Sequence, residues 1–362
     1  QGYFAQNIGK IYHNWGQNKE KGDAPSWSVP AVMHYASHYH DTVRVDGQKP
    51  GRISKNPKCF RKDVPDEAYF DGRVANLAIK ALRERKEAGR PFFLAVGFWK
   101  PHAPFNAPSK YWDLYDRSKL SRPANPEWPR DAPRIAWHNS REILGGGKQR
   151  KLSEKDVMEM RHGYLAAITY FDAQLGKVLA ELDRLGLREK TVVVFWSDHG
   201  FHLGEHSLWA KTSNFELDAH VPMIISSPGM KERGVRTDSL AELLDLYPTL
   251  VELCGLSRAE GLEGKSLVPI LEDPTAIVKK GAFTQHPRPA YFTGAPDAMG
   301  RSVRTVRYRY TEWRDFKTGK VIATELYDHE KDPLETVNIA GLPSSAAVLA
   351  ECKARYREGF AP

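Results

Sequence analysis

Apolar and polar positions along this chain repeat with two periods. From Tyr69 to Glu87, Phe70, Val74, Leu77, Ala78, Ala81 and Leu82 recur at helical spacing, and Gly89 and Pro91 end the run. PFFLAVGF, from Pro91, is nearly all apolar and β-prone, which predicts a strand that stops at Lys100, Pro101 and His102. Met160 to Leu185 again carries a helical stripe, Tyr164, Ile168, Phe171, Leu175, Val178 and Leu182, which Gly186 closes. Five consecutive apolar residues, Val192 to Trp196, then predict a strand buried on both faces, of the kind found inside parallel sheets. A further strand from Pro222, PMIISSPG, precedes a helix over Leu240 to Cys254 with Leu240, Leu243, Leu244, Tyr247, Leu250 and Val251 on one face. Helix followed by buried strand, repeated, predicts an α/β fold: a large, mostly parallel sheet flanked by helices.

The remaining stretches have a different texture. Residues 1–65 are rich in Gly, Pro, Ser, Asn and His with little periodicity, and read as loop-dominated surface. Residues 109–147 are rich in Pro, Trp and Arg and too long for an ordinary connection, which suggests a substrate-side insertion. After about Asp273, SVRTVRYRYTEWRD from Ser302 alternates apolar with charged residues, as a strand with one wet face does. ELYDHEKDPLETVN reads as strand then turn, and a last helix over Ala346 to Arg357 closes a small antiparallel sheet. The expected division is therefore an α/β domain over residues 1–272 and a smaller α+β subdomain over residues 273–362.

Composition narrows the class of function. With 362 residues, 41% hydrophobic and 27% charged, the chain can bury a sizeable core. No apolar run approaches the ~20 residues that cross a bilayer, and mean hydropathy is −0.54, so no membrane span is expected. A net charge of +8 and a pI near 9.2 suit an anionic partner. Lys and Arg are mixed with acids, however, with no arginine-rich arm, zinc-finger spacing or RNA-binding aromatic signature, which argues against nucleic acid and for an anionic substrate. Cys59, Cys254 and Cys352 are too few and scattered for a disulfide framework or a zinc site and read as packing residues.

Polar residues at the carboxyl ends of the predicted strands, or in glycine turns, form a consistent set: Lys10, His13, Lys100, His102, Asp198, His199 and Lys211. Lysines neutralise the oxygens of a tetrahedral oxyanion, an imidazole protonates a leaving oxygen, and a carboxylate beside an imidazole starts a divalent metal site. Each residue also has a plainer reading, as a solvated lysine, a loop-stiffening histidine or a capped turn. His202 and His206 share the Asp198 loop, but Gly200 and Gly204 argue against one helix presenting them together, so they read as supports behind the site residues or as structural.

Longer motifs carry a resemblance. GKIYH at Gly9, FFLAVGFWKPHAPF at Phe92, SDHGFHLGEHSLWAK at Ser197, SNFE at Ser213, VPMIISSPG at Val221, DLYPTLVELCGL at Asp245 and GRSVRTVRYRYTEWRD with ELYDHEKDPLE near the end occur in family order over nearly the whole chain. The chain resembles the sulfatase family of the alkaline phosphatase superfamily, within it the iduronate-2-sulfatase-like branch. The resemblance implies that Asp198 and His199 are ligands of calcium and that Lys211 contacts the sulfate. It further implies that Lys10 steadies nucleophile and sulfate, that His13 assists turnover, and that His102 binds sulfate and protonates the leaving alcohol. Lys100 is a frequent neighbour with no role attached.

The family also carries, upstream of the Lys10 segment, a pair of metal-binding aspartates and a C-x-P-x-R motif whose cysteine becomes formylglycine, the nucleophile. Neither stands in these residues: Cys59 is followed by Phe60, Arg61, Lys62 and Asp63 and lies on the other side of Lys10. One carboxylate and one imidazole hold a hard cation poorly. The expectation is a carboxyl-terminal piece of a sulfatase, its formylglycine and two aspartates supplied by an N-terminal segment or a companion chain. The expected activity is hydrolysis of a sulfuric ester on a sulfated sugar or polysaccharide, such as a uronate 2-O-sulfate, in a secreted, periplasmic or lysosome-like setting. A phosphomonoester or phosphodiester hydrolase on the same scaffold and a non-catalytic sulfated-glycan binder are the alternatives. Trp112, Trp128, Trp137 and Trp313 read equally as sugar platforms or as packing.

Overall fold

The computed structural model describes residues 2–13, 23–33, 59–145 and 152–360. Two compact units divide the chain, one made of residues 1–122 and 151–190, the other of residues 123–150 and 191–362.

In the first unit, β1 (Phe4–Gly9), β2 (Cys59–Lys62), β3 (Phe92–Gly97) and β4 (Phe105–Pro108) form two parallel pairs, β1 with β3 and β2 with β4. The register of β1 on β3 runs from Phe4 opposite Phe92 to Gly9 opposite Gly97. β1 lies where loops are expected from the sequence. Gln6 and Asn7 interrupt its apolar pattern, yet Asn7 is buried and Ile8 is 1% exposed, so backbone pairing decides here over side-chain alternation. The helix Phe70–Ala88 buries Phe70, Val74, Ala75, Ala78, Ala81 and Leu82 and ends on Gly89 in the left-handed region, as the periodicity predicts. The second long helix spans Glu154–Arg184 and begins six residues before its apolar stripe, because Ser153 caps it: the Ser153 hydroxyl accepts from Asp156 N at 3.2 Å. Gly163 lets this helix approach β2, since a Cβ there would stand 2.9 Å from Cβ of Cys59 and 2.9 Å from the Trp112 ring.

In the second unit, β5 (Val193–Trp196), β6 (His202–Leu203), β7 (Trp209–Ala210) and β8 (Met223–Ser226) form two antiparallel pairs, β5 with β8 and β6 with β7. Two sequence expectations change here. Val193 to Phe195 are half-buried and Trp196 is 48% exposed, so among the described residues β5 is not covered on both faces. β8 runs antiparallel to β5: the connection between them holds the short β6–β7 pair and a four-residue helix, Glu216–Ala219, and not the long crossover helix that usually returns a chain parallel. The helix expected from Leu240 begins at Leu246, after a 3-10 turn over Leu243–Asp245. Asp245 caps this turn through its side chain, Oδ2 accepting from Glu242 N at 2.8 Å while Oδ1 takes Lys279 Nζ at 2.6 Å and Lys265 N at 2.8 Å.

Four strands, β9 (Ala282–Arg288), β10 (Ala298–Arg304), β11 (Tyr308–Asp315) and β12 (Val321–Asp328), form an antiparallel sheet in the order β12-β11-β10-β9. The alternating run from Ser302 is thus a hairpin rather than one strand, turning at Thr305, whose N–H donates to Tyr308 O at 2.8 Å. Nor is one face of β11 wet. Arg309 to Trp313 are all buried, and the charges pair inside, Arg309 Nε donating to Glu335 Oε1 at 2.8 Å. The final helix Ala346–Gly359 covers this sheet, Cys352 and Tyr356 packing on Val303, Tyr310 and Leu326. Trp112 and Trp313 are each 1% exposed and are packing residues rather than sugar platforms; Trp313 Nε1 donates to Glu325 Oε1 at 2.6 Å.

Candidate active site

Two glycines bring the carboxyl ends of β1 and β3 together. A Cβ on Gly97 would stand 1.9 Å from Lys10 O, one on Gly9 would stand 2.1 Å from Gly97 O, and Lys10 N donates to Gly97 O at 2.7 Å. No side chain fits at either place. Lys10, half-buried, and His13, exposed, follow β1; the turn from Phe98 to Pro104 follows β3 at the same edge. Asp71, in the first turn of the helix Phe70–Ala88, fixes that turn by accepting from Trp99 N at 2.8 Å and Lys100 N at 2.9 Å.

Lys100 points inward. It is 6% exposed, and its ammonium donates to Pro104 O at 2.6 Å, to His102 O at 3.4 Å and to the Asn106 side chain. Burial pulls its pKa down to about 7 against the opposing pull of Asp71. His102, between the cis peptides Lys100-Pro101 and Ala103-Pro104, is half-buried under the Trp99 ring at 4.6 Å. Its Nδ1 stands 2.7 Å from Ala103 O, a contact that assigns the proton to Nδ1.

In the second unit, Asp198 and His199 follow β5. His199 Nδ1 is 2.7 Å from Gly200 O and its Nε2 is 3.7 Å from Asp198 Oδ1. An imidazole held through Nδ1 by a backbone carbonyl, with Nε2 beside a carboxylate oxygen, fits a pair of metal ligands. Both residues suit part of a divalent site, which requires further oxygens. The following turn is packed tightly: a Cβ on Gly200 would meet Leu217 O at 1.9 Å. His202 and His206 are scaffold, as the glycines around them suggest. Both are buried in a chain from Ser213 through Asp218 to Leu334 O, with His202 Nδ1 2.8 Å from Asp218 Oδ1 and His206 Nε2 2.8 Å from Leu334 O. Burial disfavours charge on His202, but the Asp218 carboxylate outweighs it and raises the pKa; burial and charged His202 lower that of His206.

Lys211 stands between two residues forced into positive φ, Ala210 at 72° and Thr212 at 91°. Such strain persists only where neighbours over-determine it. Ser140 Oγ accepts from Trp209 N at 2.9 Å, and Arg288 Nη1 donates to Thr212 O at 2.9 Å. Arg288 also donates to the carbonyls of Ile135 at 2.9 Å, Ala136 at 2.6 Å and Trp137 at 3.1 Å. The Lys211 ammonium pairs with Glu142, on the short helix Arg141–Leu144. Asp71, Glu142 and Arg288 carry no signal in the sequence. Asp71 resembles an ordinary first-turn acid, and nothing in the sequence links Glu142 or Arg288 to Lys211.

A second acid and imidazole group lies elsewhere in this unit: Glu216, His329 and Glu335 have ligand atoms within 4.8 Å of one another. Arg309, 2% exposed, ion-pairs with both carboxylates, so this group is an ion-pair network.

A sequence model described as Sulfatase matches residues 1–256, and one described as N-sulphoglucosamine sulphohydrolase, C-terminal, matches residues 204–359. Iduronate 2-sulfatase of Homo sapiens is 31% identical over 410 residues, covering 93% of this chain and 74% of that protein. Choline-sulfatase of Rhizobium meliloti (strain 1021) is 32% identical over 290 residues, 78% of this chain and 53% of its own length. Among solved structures, a protein in complex with its substrate D-glucosamine-2-N,6-O-disulfate superposes with a TM-score of 0.70 at 18% identity, over 99% of this chain and 80% of the other. The phosphonate monoester hydrolase of Agrobacterium radiobacter superposes with a TM-score of 0.72 at 22% identity, over 99% and 78%. At those identities the two structures establish the fold alone, the expected alkaline phosphatase-like α/β architecture. With the Sulfatase match spanning most of its residues and a relative above 30% identity of which it covers three quarters, the chain belongs to the sulfatase family.

Proposed function

We propose that the protein hydrolyses a sulfuric ester on a sulfated sugar or polysaccharide, a uronate 2-O-sulfate being the best-matched kind. The observation that carries this reading is the turn after β3, where Asp71 and Lys100 hold His102 with Nδ1 engaged. His102 binds the sulfate and gives a proton to the departing sugar oxygen, a poor leaving group that needs one. Lys10 and Lys211 neutralise sulfate oxygens, and His13 assists release of sulfate. Asp198 and His199 hold part of a divalent metal, which we assign as calcium; when bound it withdraws charge from the sulfate oxygens. Sulfatases attack through formylglycine. We assign that role to none of Cys59, Cys254 or Cys352: Cys59 is buried with its thiol pushed up to about 12 by burial, and Cys352 lies in the sheet core.

The net charge of +8 and the similarity to iduronate 2-sulfatase support an anionic sugar substrate. No helix of the described residues is long and apolar enough to cross a membrane; a secreted, periplasmic or lysosome-like location follows from the substrate class. We also place a boundary after residue 272, within the second compact unit and ahead of the four-stranded sheet. Full-length protein assayed on matched aryl sulfate and aryl phosphate, and on a sulfated uronate disaccharide, tests the activity. Sulfate release exceeding phosphate release is expected. A preference for the phosphate, or retention of the disaccharide without turnover, contradicts it.

A further inference from the structure

The ion pair between Lys211 and Glu142 differs from an ordinary surface pair. Both side chains are largely covered, at 14% and 17% exposure. Each stands on backbone fixed from elsewhere. Glu142 belongs to the helix Arg141–Leu144, anchored by Ile143 at 3% exposure and by Ser140, whose hydroxyl accepts from Trp209 N at 2.9 Å and whose carbonyl accepts from Ile143 N at 3.0 Å. Lys211 is held between the strained Ala210 and Thr212. An anion that reaches Lys211 therefore meets an immobile carboxylate at the same ammonium, in a place where solvent screens charge weakly.

The repulsion from that carboxylate grows with the charge of the incoming anion. A sulfate monoester carries one negative charge at neutral pH, whereas inorganic sulfate carries two and a phosphate monoester carries ~1.5 to 2. We propose that Glu142 sets the charge selectivity of the anion site at Lys211, favouring monoanionic esters over dianions. The device disfavours retention of the sulfate product and entry of phosphate monoesters, and it leaves the chemical step to other residues. This rests on the reading of Lys211 as a sulfate ligand. Glu142 lies far from Lys211 in sequence, on a segment read as a substrate-side insertion.

Calorimetric titration of the full-length protein with inorganic sulfate and with methyl sulfate separates the two charges without requiring turnover. Glu142→Gln, which keeps shape and removes charge, should tighten methyl sulfate about threefold and sulfate by about the square of that, roughly tenfold. Glu142→Ala should do the same, and Glu142→Asp, which keeps the charge, should bind as wild type. Equal changes for the two anions, or weaker binding in Glu142→Gln and Glu142→Ala, would show that Glu142 only supports the loop and would overturn the proposal. Lys211→Met should weaken both anions. If it leaves both affinities unchanged, Lys211 is not the sulfate ligand, and that reading fails whatever Glu142 does.

Discussion

Lys100 shows how a charged residue at a strand end can act by organising its neighbours rather than by touching a substrate. Its ammonium satisfies the carbonyls of Pro104 and His102 and the Asn106 side chain from a fully buried position. Asp71 completes the arrangement from the backbone side. Lys100→Met keeps the bulk but leaves the Pro104 and His102 carbonyls and the Asn106 side chain without their donor and removes the cation near Asp71, which should cost about 2–4 kcal/mol in urea unfolding. A loss below about 1 kcal/mol would show that water replaces the ammonium. The sequence places Lys100 and His102 at one strand end but does not separate their jobs, because burial of the lysine depends on Asp71, 29 residues earlier.

At the scale of elements, β1 and β3 align Lys10 with the His102 turn only because Gly9 and Gly97 let two backbones approach. Gly97→Ala places a methyl 1.9 Å from Lys10 O, against backbone that cannot rotate away. We expect it to destabilise the protein by about 3 kcal/mol or more and to lower sulfate affinity with it. Near-wild-type thermal stability in that variant would mean that the strands part easily. The elements most legible in the sequence are those with one strong period, such as the helix Phe70–Ala88 and β3. Those least legible are decided by polar contacts. β1 hides behind Gln6 and Asn7, the Glu154 helix start is set by a Ser153 cap, and the Leu246 start is set by side-chain contacts of Asp245 with Glu242 N, Lys265 N and Lys279. Charge alternation in β11 suggests a wet face because pairing of Arg309 with Glu216 and Glu335 is invisible from β11 alone.

At the scale of the molecule, the chain passes between its two units at residues 122/123, 150/151 and 190/191. Each unit carries part of the candidate machinery: Lys10, His13, Lys100 and His102 in the first, Asp198, His199, Lys211 and Glu142 in the second. Residue types and their places at strand ends made most of this set readable, since each motif is local. Glu142, Asp71 and Arg288 were unreadable because their roles exist only through contacts distant in sequence. In the proposed reaction His102 supplies the proton that a sugar leaving group needs. Steady-state rates of His102→Ala on a sugar sulfate and on an aryl sulfate, whose phenolate leaves unaided, test it most directly. A fall of about 10²–10⁴ in kcat on the sugar with little change on the aryl ester is the predicted result; equal losses on both substrates would contradict it.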